Sequence, residues 1–315
     1  MKKFTSVNDV SNINQLVQEA LELKKNPYAF CQIGKNKTIG LLFFNPSLRT
    51  RLSTQKAAVN LGMNVMVMNM DKEGWALETE DGVVMNGSNV EHIKEAAAVM
   101  GQYCDIIGLR SFPKLVNREE DYSEDILNKF IKYAAVPIIS LECATLHPLQ
   151  SLADLITITE SVSGSTKPKV VLTWAPHVKA LPQAVPNSFS EWMCRADVNF
   201  TITHPQGYEL CENYIKGATI EYDQQEALKN ADFVYVKNWS SYTDYGKMIN
   251  IDSDWMLNKK KLGRSGTKVM HCLPVRRDVE LAGELLDSQD SLHIQQASNR
   301  VYAAQAVLKR MILGN

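Results

Sequence analysis

Five consecutive residues, Ser47-Leu48-Arg49-Thr50-Arg51, place two guanidinium groups and two hydroxyls directly behind an apolar run that ends in Phe43-Phe44. Residues 37–44 read as a buried strand and residues 52–61 as a helix stopped by Gly62, so the five form a helix start with Ser47 as its cap. Cations are an adverse choice there, because a helix start already carries partial positive charge. Free backbone N–H groups, hydroxyls and two arginine forks in one turn suit an anion held among them, and a phosphate fits best. A solvated helix start explains one arginine, not Ser-x-Arg-Thr-Arg behind a buried strand.

Polar residues follow the other apolar runs as well. Arg110 follows the run 105–109, and Glu142 with His147-Pro148-Leu149-Gln150 follows 136–141. His177 comes after Trp174-Ala175-Pro176, and Lys237 comes after the run 233–236. His271-Cys272-Leu273-Pro274-Val275-Arg276-Arg277 ends the last run, and Arg300 opens a final helix over 299–313. Singly, each has a plain reading: a surface charge, an ion pair of Glu142 with Arg110 or Lys237, a helix cap at His147, a loop histidine at His177, a buried thiol at Cys272. Their convergence is what counts, because ligands of open parallel sheets bind beyond the carboxyl ends of the strands.

The elements that must position these residues alternate in two sets. After an amphipathic helix over 13–24, strands are expected at 38–44, 65–70, 105–109 and 136–141, with helices at 52–61, 90–100 and 123–133. The acidic stretch 118–125 reads as a solvated turn and helix start. A helix over 148–161 leads into Ser163-Gly164-Ser165-Thr166-Lys167-Pro168, a linker or surface turn. The second set has strands at 169–174, 198–203, 233–236 and 268–272, with helices near 189–196, 207–215 and 224–229. This is the pattern of an α/β chain with two doubly wound domains, each built on a parallel sheet. The division falls at 1–147 and 148–297, with the helix over 298–315 packing back on the first domain.

Composition narrows the function. With 34 basic and 35 acidic residues the net charge is −1, which gives no electrostatic support for binding nucleic acid or a membrane surface. No apolar stretch approaches the ~20 residues of a membrane span, and residues 1–10 lack the apolar core of a secretory signal. Six cysteines without any Cys-x-x-Cys pair argue against zinc and against a disulfide framework, so a cytoplasmic protein with free thiols is expected. Neither Gly-x-Gly-x-x-Gly nor a P-loop is present, and no metal or organic cofactor is expected.

Taken in order, Ser47–Arg51, Arg110, His147-Pro148-Leu149-Gln150, His271-Cys272-Leu273-Pro274 and Asn299-Arg300 resemble the motifs of the aspartate/ornithine carbamoyltransferase family across essentially the whole chain. The resemblance implies carbamoyl phosphate with its phosphate on Ser47, Leu48, Arg49 and Thr50. Arg110 and His147, with Thr50, would hold the carbonyl oxygen, and Gln150 the carbamoyl nitrogen. Cys272, Leu273 and Arg300 would close the site from the other domain, with Arg110, His147 and Cys272 as the catalytic set.

Ornithine enzymes of the family carry a segment like Asp-Val-Trp-x-Ser-Met-Gly; here Asp232 to Ser240 lacks the Ser-Met-Gly and has Lys237. A lysine suits a carboxylate and repels a free α-ammonium. The chain is instead similar to the acylornithine branch, through the proline-bearing loop Lys179-Ala180-Leu181-Pro182-Gln183-Ala184-Val185-Pro186 and through Arg276-Arg277. That branch implies a homotrimer with shared active sites, in which Trp75 completes a neighbour's phosphate site, and a knotted second domain. Acetyl-selective members carry a glutamate where Val90 stands. Val90 does not repel an extra carboxylate, and Arg276, Lys237 and His177, lined further by Glu142 and Leu273, can receive one. The implied substrate is N-succinylornithine, in arginine biosynthesis. N-acetylornithine, plain ornithine, and a non-enzymatic anion-binding role on the same fold remain as alternatives.

Overall fold

The computed structural model describes residues 1–70, 72–162, 167–249, 254–263 and 265–314. Two compact units divide the chain: Met1–Leu149 with Arg300–Asn315, and Gln150–Asn299.

The first unit contains strands β1 (Lys3–Phe4), β2 (Thr38–Phe43), β3 (Asn64–Asn69), β4 (Leu77–Glu78), β5 (Glu91–His92), β6 (Ile106–Arg110) and β7 (Ile138–Glu142). Five form one parallel sheet in the order β1-β7-β6-β2-β3, and β4 pairs with β5. β6 and β7 are buried along their whole length, as unbroken apolar runs in a doubly covered sheet should be. β3 is an edge strand whose Met66 and Met68 are exposed.

The helix after β2 begins at Arg49, three residues before the expected start. Its N-cap is Leu48, already in helical conformation and with no side-chain cap bond, so Ser47 does not cap it. Arg49, Thr50 and Arg51 do fill its first turn. The helix expected from residue 90 runs Ile93–Tyr103, capped by the His92 ring, which accepts from Lys94 N. Val90 therefore does not begin a helix; its N–H donates to Ala76 O as the chain enters β5. The helix expected over 123–133 runs Asp125–Tyr133, and a separate helix, Arg118–Tyr122, precedes it, the break falling at Glu124 with φ 51° and ψ 39°. The acidic run is thus itself helical. Asn117 caps it, and its carboxylates lie in the first turn, where the helix dipole favours them.

The second unit has β8 (Lys169–Trp174), β9 (Asn199–Thr203), β10 (Thr219–Glu221), β11 (Phe233–Lys237) and β12 (Lys268–Met270), all parallel, in the order β10-β9-β8-β11-β12. Its core gathers Val171, Val234, Val236, Leu257, Val269 and Leu281. The helix expected near 189–196 is Ala184–Met193, buried throughout, with Pro186 in its first turn where a missing N–H costs nothing. The expected helix 207–215 shrinks to Glu212–Ile215, because Gly207 sits at φ 88° in a turn. β12 stops two residues early, and β11 extends to Lys237. Residues 163–166 of the expected linker lie outside the described residues.

The chain crosses between units within two helices, Pro148–Ser161 and His293–Leu313. The second begins well before residue 299, so Arg300 lies inside it and does not open it. No described helix is long and apolar enough to cross a membrane.

Candidate active site

In the first sheet the chain leaves β2 toward β3 on one side, while β6 and β7 continue on the other. The strand order reverses between β2 and β6, the place where such sheets bind ligands. Arg110, the last residue of β6, organises it. Its Nη1 donates to the carbonyls of Asn45 (3.2 Å) and Pro46 (2.8 Å), and its Nε and Nη2 donate to Glu142 Oε2 at 3.2 and 2.8 Å. Four of the five guanidinium N–H groups are thereby used, and one, on Nη2, is left over. Asn45 Oδ1 accepts Phe112 N at 2.6 Å and ties the two strand ends together.

Arg300 Nη2 donates to Thr50 Oγ1 and lies 3.4 Å from His147 Nε2. Glu142 Oε2 is 3.8 Å from the same nitrogen. Thr50, Arg110, Glu142, His147 and Arg300 are all buried, and they form one polar cluster within the first unit. Burial pushes His147 down to about 3, with Arg300 and Arg110 adding to it against the opposing Glu142 charge. The imidazole is neutral at physiological pH. Because a guanidinium only donates, Nε2 accepts and the proton sits on Nδ1, which is buried without a hydrogen-bond partner. Burial alone would raise Glu142, yet the Arg110 and Arg300 guanidinium groups hold it below its ordinary value.

Around the helix start, Pro46, Ser47, Leu48, Arg51, Asn69 and Lys72 line a hollow of about 370 Å³. Arg51 Nη1 is steadied by Asn69 Oδ1 at 3.3 Å, and Arg49 Nε is buried without a partner. Lys72 is a further cation at this hollow that sequence reading missed, since nothing distinguishes it from a surface lysine. Trp75 and Val90 stand apart from the cluster. Trp75 is exposed, bonded through Nε1 to Glu91 Oε2 at 2.9 Å, and lines a different hollow with Phe44, Met70 and Ile93. Val90 is 66% exposed.

Glu124 was also missed, hidden in the acidic run. Its Oε1 accepts Thr145 N (2.7 Å) and Thr145 Oγ1 (2.6 Å), and its Oε2 accepts Ala144 N (3.2 Å), clamping the loop between Glu142 and His147. Burial raises its pKa, against the bonds from Cys143, Thr145 and Ala144.

In the second sheet the order reverses between β8 and β11. Ala175 N donates to Lys237 O at 3.1 Å, and Asn238 Nδ2 donates to Ala175 O at 2.6 Å, locking those strand ends together. The Lys237 ammonium makes no hydrogen bond or ion pair among the described residues. Arg276 Nε donates to His177 Nε2 at 3.2 Å, which places the His177 proton on Nδ1, bonded to Lys179 O at 2.8 Å. Leu273 holds φ 59°, uncommon for a branched side chain, and donates its N–H to His271 Nδ1 at 2.9 Å. His271 is buried against Glu280 at 3.6 Å; burial lowers its pKa, Glu280 opposes, and Lys237 lowers it further. Cys272 is buried, as is Gln150, whose amide bonds to Asp154 at 2.7 Å.

Chemically, the first unit offers donors fixed by a buried network and a neutral imidazole beside an arginine-rich helix start. The second offers Lys237 and the Arg276–His177 pair, which suit a carboxylate. Among the described residues no group of three His, Cys, Asp or Glu side chains could hold a metal ion.

Two family models match the chain: aspartate/ornithine carbamoyltransferase, carbamoyl-P binding domain, over residues 2–160, and the Asp/Orn binding domain over residues 182–311. The chain is 51% identical to an N-succinylornithine carbamoyltransferase of Bacteroides thetaiotaomicron, over 100% of this chain and 99% of that protein. It is 33% identical to an N-acetylornithine carbamoyltransferase of Xanthomonas campestris pv. campestris, over 99% of this chain and 98% of that protein. A solved N-acetyl-L-ornithine transcarbamylase variant, with one glutamate replaced by valine and complexed with carbamyl phosphate and N-succinyl-L-norvaline, aligns with a TM-score of 0.89 at 32% identity, covering 99% of this chain and 100% of that one.

Proposed function

The chain belongs to the aspartate/ornithine carbamoyltransferase family, and we propose that it transfers the carbamoyl group of carbamoyl phosphate to the δ-amino group of N-succinyl-L-ornithine, giving N-succinyl-L-citrulline and phosphate. The observation that carries the chemistry is the buried cluster of Thr50, Arg110, Glu142, His147 and Arg300 next to the Ser47–Thr50 helix start. The phosphate takes Ser47, Leu48, Arg49 and Thr50. The carbonyl oxygen takes the remaining Arg110 N–H and Thr50, together with the neutral His147 in the tautomer that carries its proton on Nε2, which an oxygen acceptor there selects, and the carbamoyl nitrogen takes Gln150. Cys272 and Leu273 complete the set.

The neutral δ-amine attacks the carbonyl carbon, a C–N bond forms, and the carbonyl oxygen becomes an oxyanion. Donors held in place by Glu142 and by the Asn45 and Pro46 carbonyls stabilise that charge without reorganising, so they favour the transition state over the ground state. The C–O bond to phosphate then breaks, and the departing phosphate accepts the proton released by the amine.

N-succinylornithine is favoured over its N-acetyl counterpart by the cations Lys237 and Arg276, which suit carboxylates, and by Val90, which lacks the charge to repel one. The valine variant of the acetyl enzyme, complexed with an N-succinyl ligand, supports the same reading. The chain acts in arginine biosynthesis in the cytoplasm. It assembles as a homotrimer in which Trp75 of one protomer completes a neighbour's phosphate site. Exposed Leu48, Leu52, Met66, Met68 and Trp75, with β3 an unpaired sheet edge, support assembly, because such a surface is otherwise a liability. An end-point citrulline assay with N-succinyl-, N-acetyl- and free ornithine tests the proposal. Product from free ornithine alone, or from none of the three, overturns it.

A further inference from the structure

Asp154 takes part in none of the steps above, yet its carboxylate is fully buried one helical turn beyond Gln150. Its Oδ1 accepts two amide bonds, from Gln150 Nε2 at 2.7 Å and from Gln296 Nε2 at 2.6 Å. The Gln296 oxygen in turn accepts the His271 N–H at 3.0 Å, so both poles of that amide are defined. The Tyr235 phenol adjoins the same group and is held well above its ordinary pKa, by burial first and then by the Asp154 charge.

Because Asp154 Oδ1 accepts from both amides, it decides which pole of the Gln150 amide turns toward it. That pole is the NH₂. The oxygen of Gln150 is left as the opposite pole, and it is buried with no hydrogen-bond partner. A buried acceptor without a donor rejects any ligand that covers it with an apolar group and welcomes one that brings an N–H.

We propose that Asp154 is the positioning residue that makes the acyl-phosphate site specific for a carbamoyl group, by holding the Gln150 amide with its NH₂ toward Asp154 and its oxygen opposite, so that a ligand NH₂ is required. Acetyl phosphate, with a methyl where carbamoyl phosphate has its NH₂, is the ligand this arrangement excludes. The inference rests on the carbamoyl phosphate reading given above.

Calorimetric titration of the intact protein with carbamoyl phosphate, acetyl phosphate and inorganic phosphate tests it. In the parent, acetyl phosphate is expected to bind about a hundredfold more weakly than carbamoyl phosphate. Asp154→Leu should cut that ratio at least about tenfold while leaving inorganic phosphate within about threefold, and Gln150→Leu with Asp154→Leu should match Gln150→Leu alone, because one residue acts through the other. Asp154→Asn keeps shape and one acceptor but presents an NH₂ in place of the second oxygen, and should lower the ratio about three- to tenfold; it decides the matter if the leucine variant does not fold. A parent-like ratio in the folded variants, equal weakening of all three ligands, or additive losses in the double variant would each overturn the proposal. Parent activity toward N-succinylornithine, measured on the same preparation, reports separately on the function itself.

Discussion

Arg300 donates a hydrogen bond to the hydroxyl of Thr50, although 250 residues separate them in sequence. The same guanidinium nitrogen lies 3.4 Å from His147, so one side chain from the last helix ties together the helix start that reads as a phosphate site and the histidine assigned to the carbonyl oxygen. Arg300→Leu should lower kcat/KM for carbamoyl phosphate by about two to three powers of ten, the usual cost of losing one fixed donor. Arg300→Lys should recover only part of it, since the ammonium restores charge and not the planar fork. Combining Arg300→Leu with Thr50→Val should cost less than the sum of the two single losses. Strict additivity in steady-state kinetics would mean the two residues act separately.

The buried imidazole makes stability depend on acid in a defined window. His147 is lowered to about 3 in the folded chain, whereas an unfolded histidine titrates near ~6.5. Between those values the unfolded chain binds one proton more than the folded one, so stability is full above about pH 6.5 and falls as pH drops toward about 3. One such group removes roughly 1.4 kcal/mol between pH 7.5 and 5.5. Urea unfolding at those two pH values should show His147→Gln losing that much less than the parent. An equal loss in both would mean that His147 stays charged when folded.

Assembly has its own test. Under the trimer proposal, Trp75→Ala and Arg110→Ala should each be nearly inactive as purified assemblies. Mixed after mild dissociation, they should regain activity, because some neighbours then join an intact Trp75 to an intact Arg110. Verified mixed trimers with no recovery would place each site within one chain.

What could be read beforehand was local. Ser47 to Arg51 reads as an anion site because five adjacent residues carry the whole signal, and the apolar runs behind Arg110, Glu142 and Lys237 mark strand ends that any parallel sheet would use. Ser47 still fails as a cap, since the helix begins at Arg49 and its N-cap position falls one residue later, on Leu48. Glu124 was illegible because its buried partners, Ala144 and Thr145, are distant in sequence, and among Glu119, Glu120 and Asp121 nothing sets it apart. Arg300 lies inside the last helix and not at its start, because Gln295, Gln296 and Ser298 interrupt the apolar pattern between His293 and Asn299. β4, β5 and β10, two or three residues each, are too short for periodicity to register.

Under the proposed function, Val90 carries the choice between succinyl and acetyl. It is exposed just before β5, apart from the Arg110–His147 cluster of its own unit, at the end of the exposed run 80–88. A position so placed suits contact with a substrate held in a neighbouring protomer. Val90→Glu would then set a carboxylate beside the succinyl carboxylate. Two like charges at ~4 Å repel by about 1 kcal/mol in bulk water and about 4 kcal/mol at an effective dielectric near 20. The preference for N-succinyl- over N-acetylornithine should therefore fall by roughly one to three powers of ten, each 1.4 kcal/mol being about tenfold. Activity should move between substrates and not vanish, because the glutamate can still hydrogen-bond a water or the shorter acetyl substrate. The ratio of kcat/KM for the two acylornithines, in parent and variant, is the measurement. An unchanged ratio, or an equal fall in both constants, would remove Val90 as the residue that reads the acyl group.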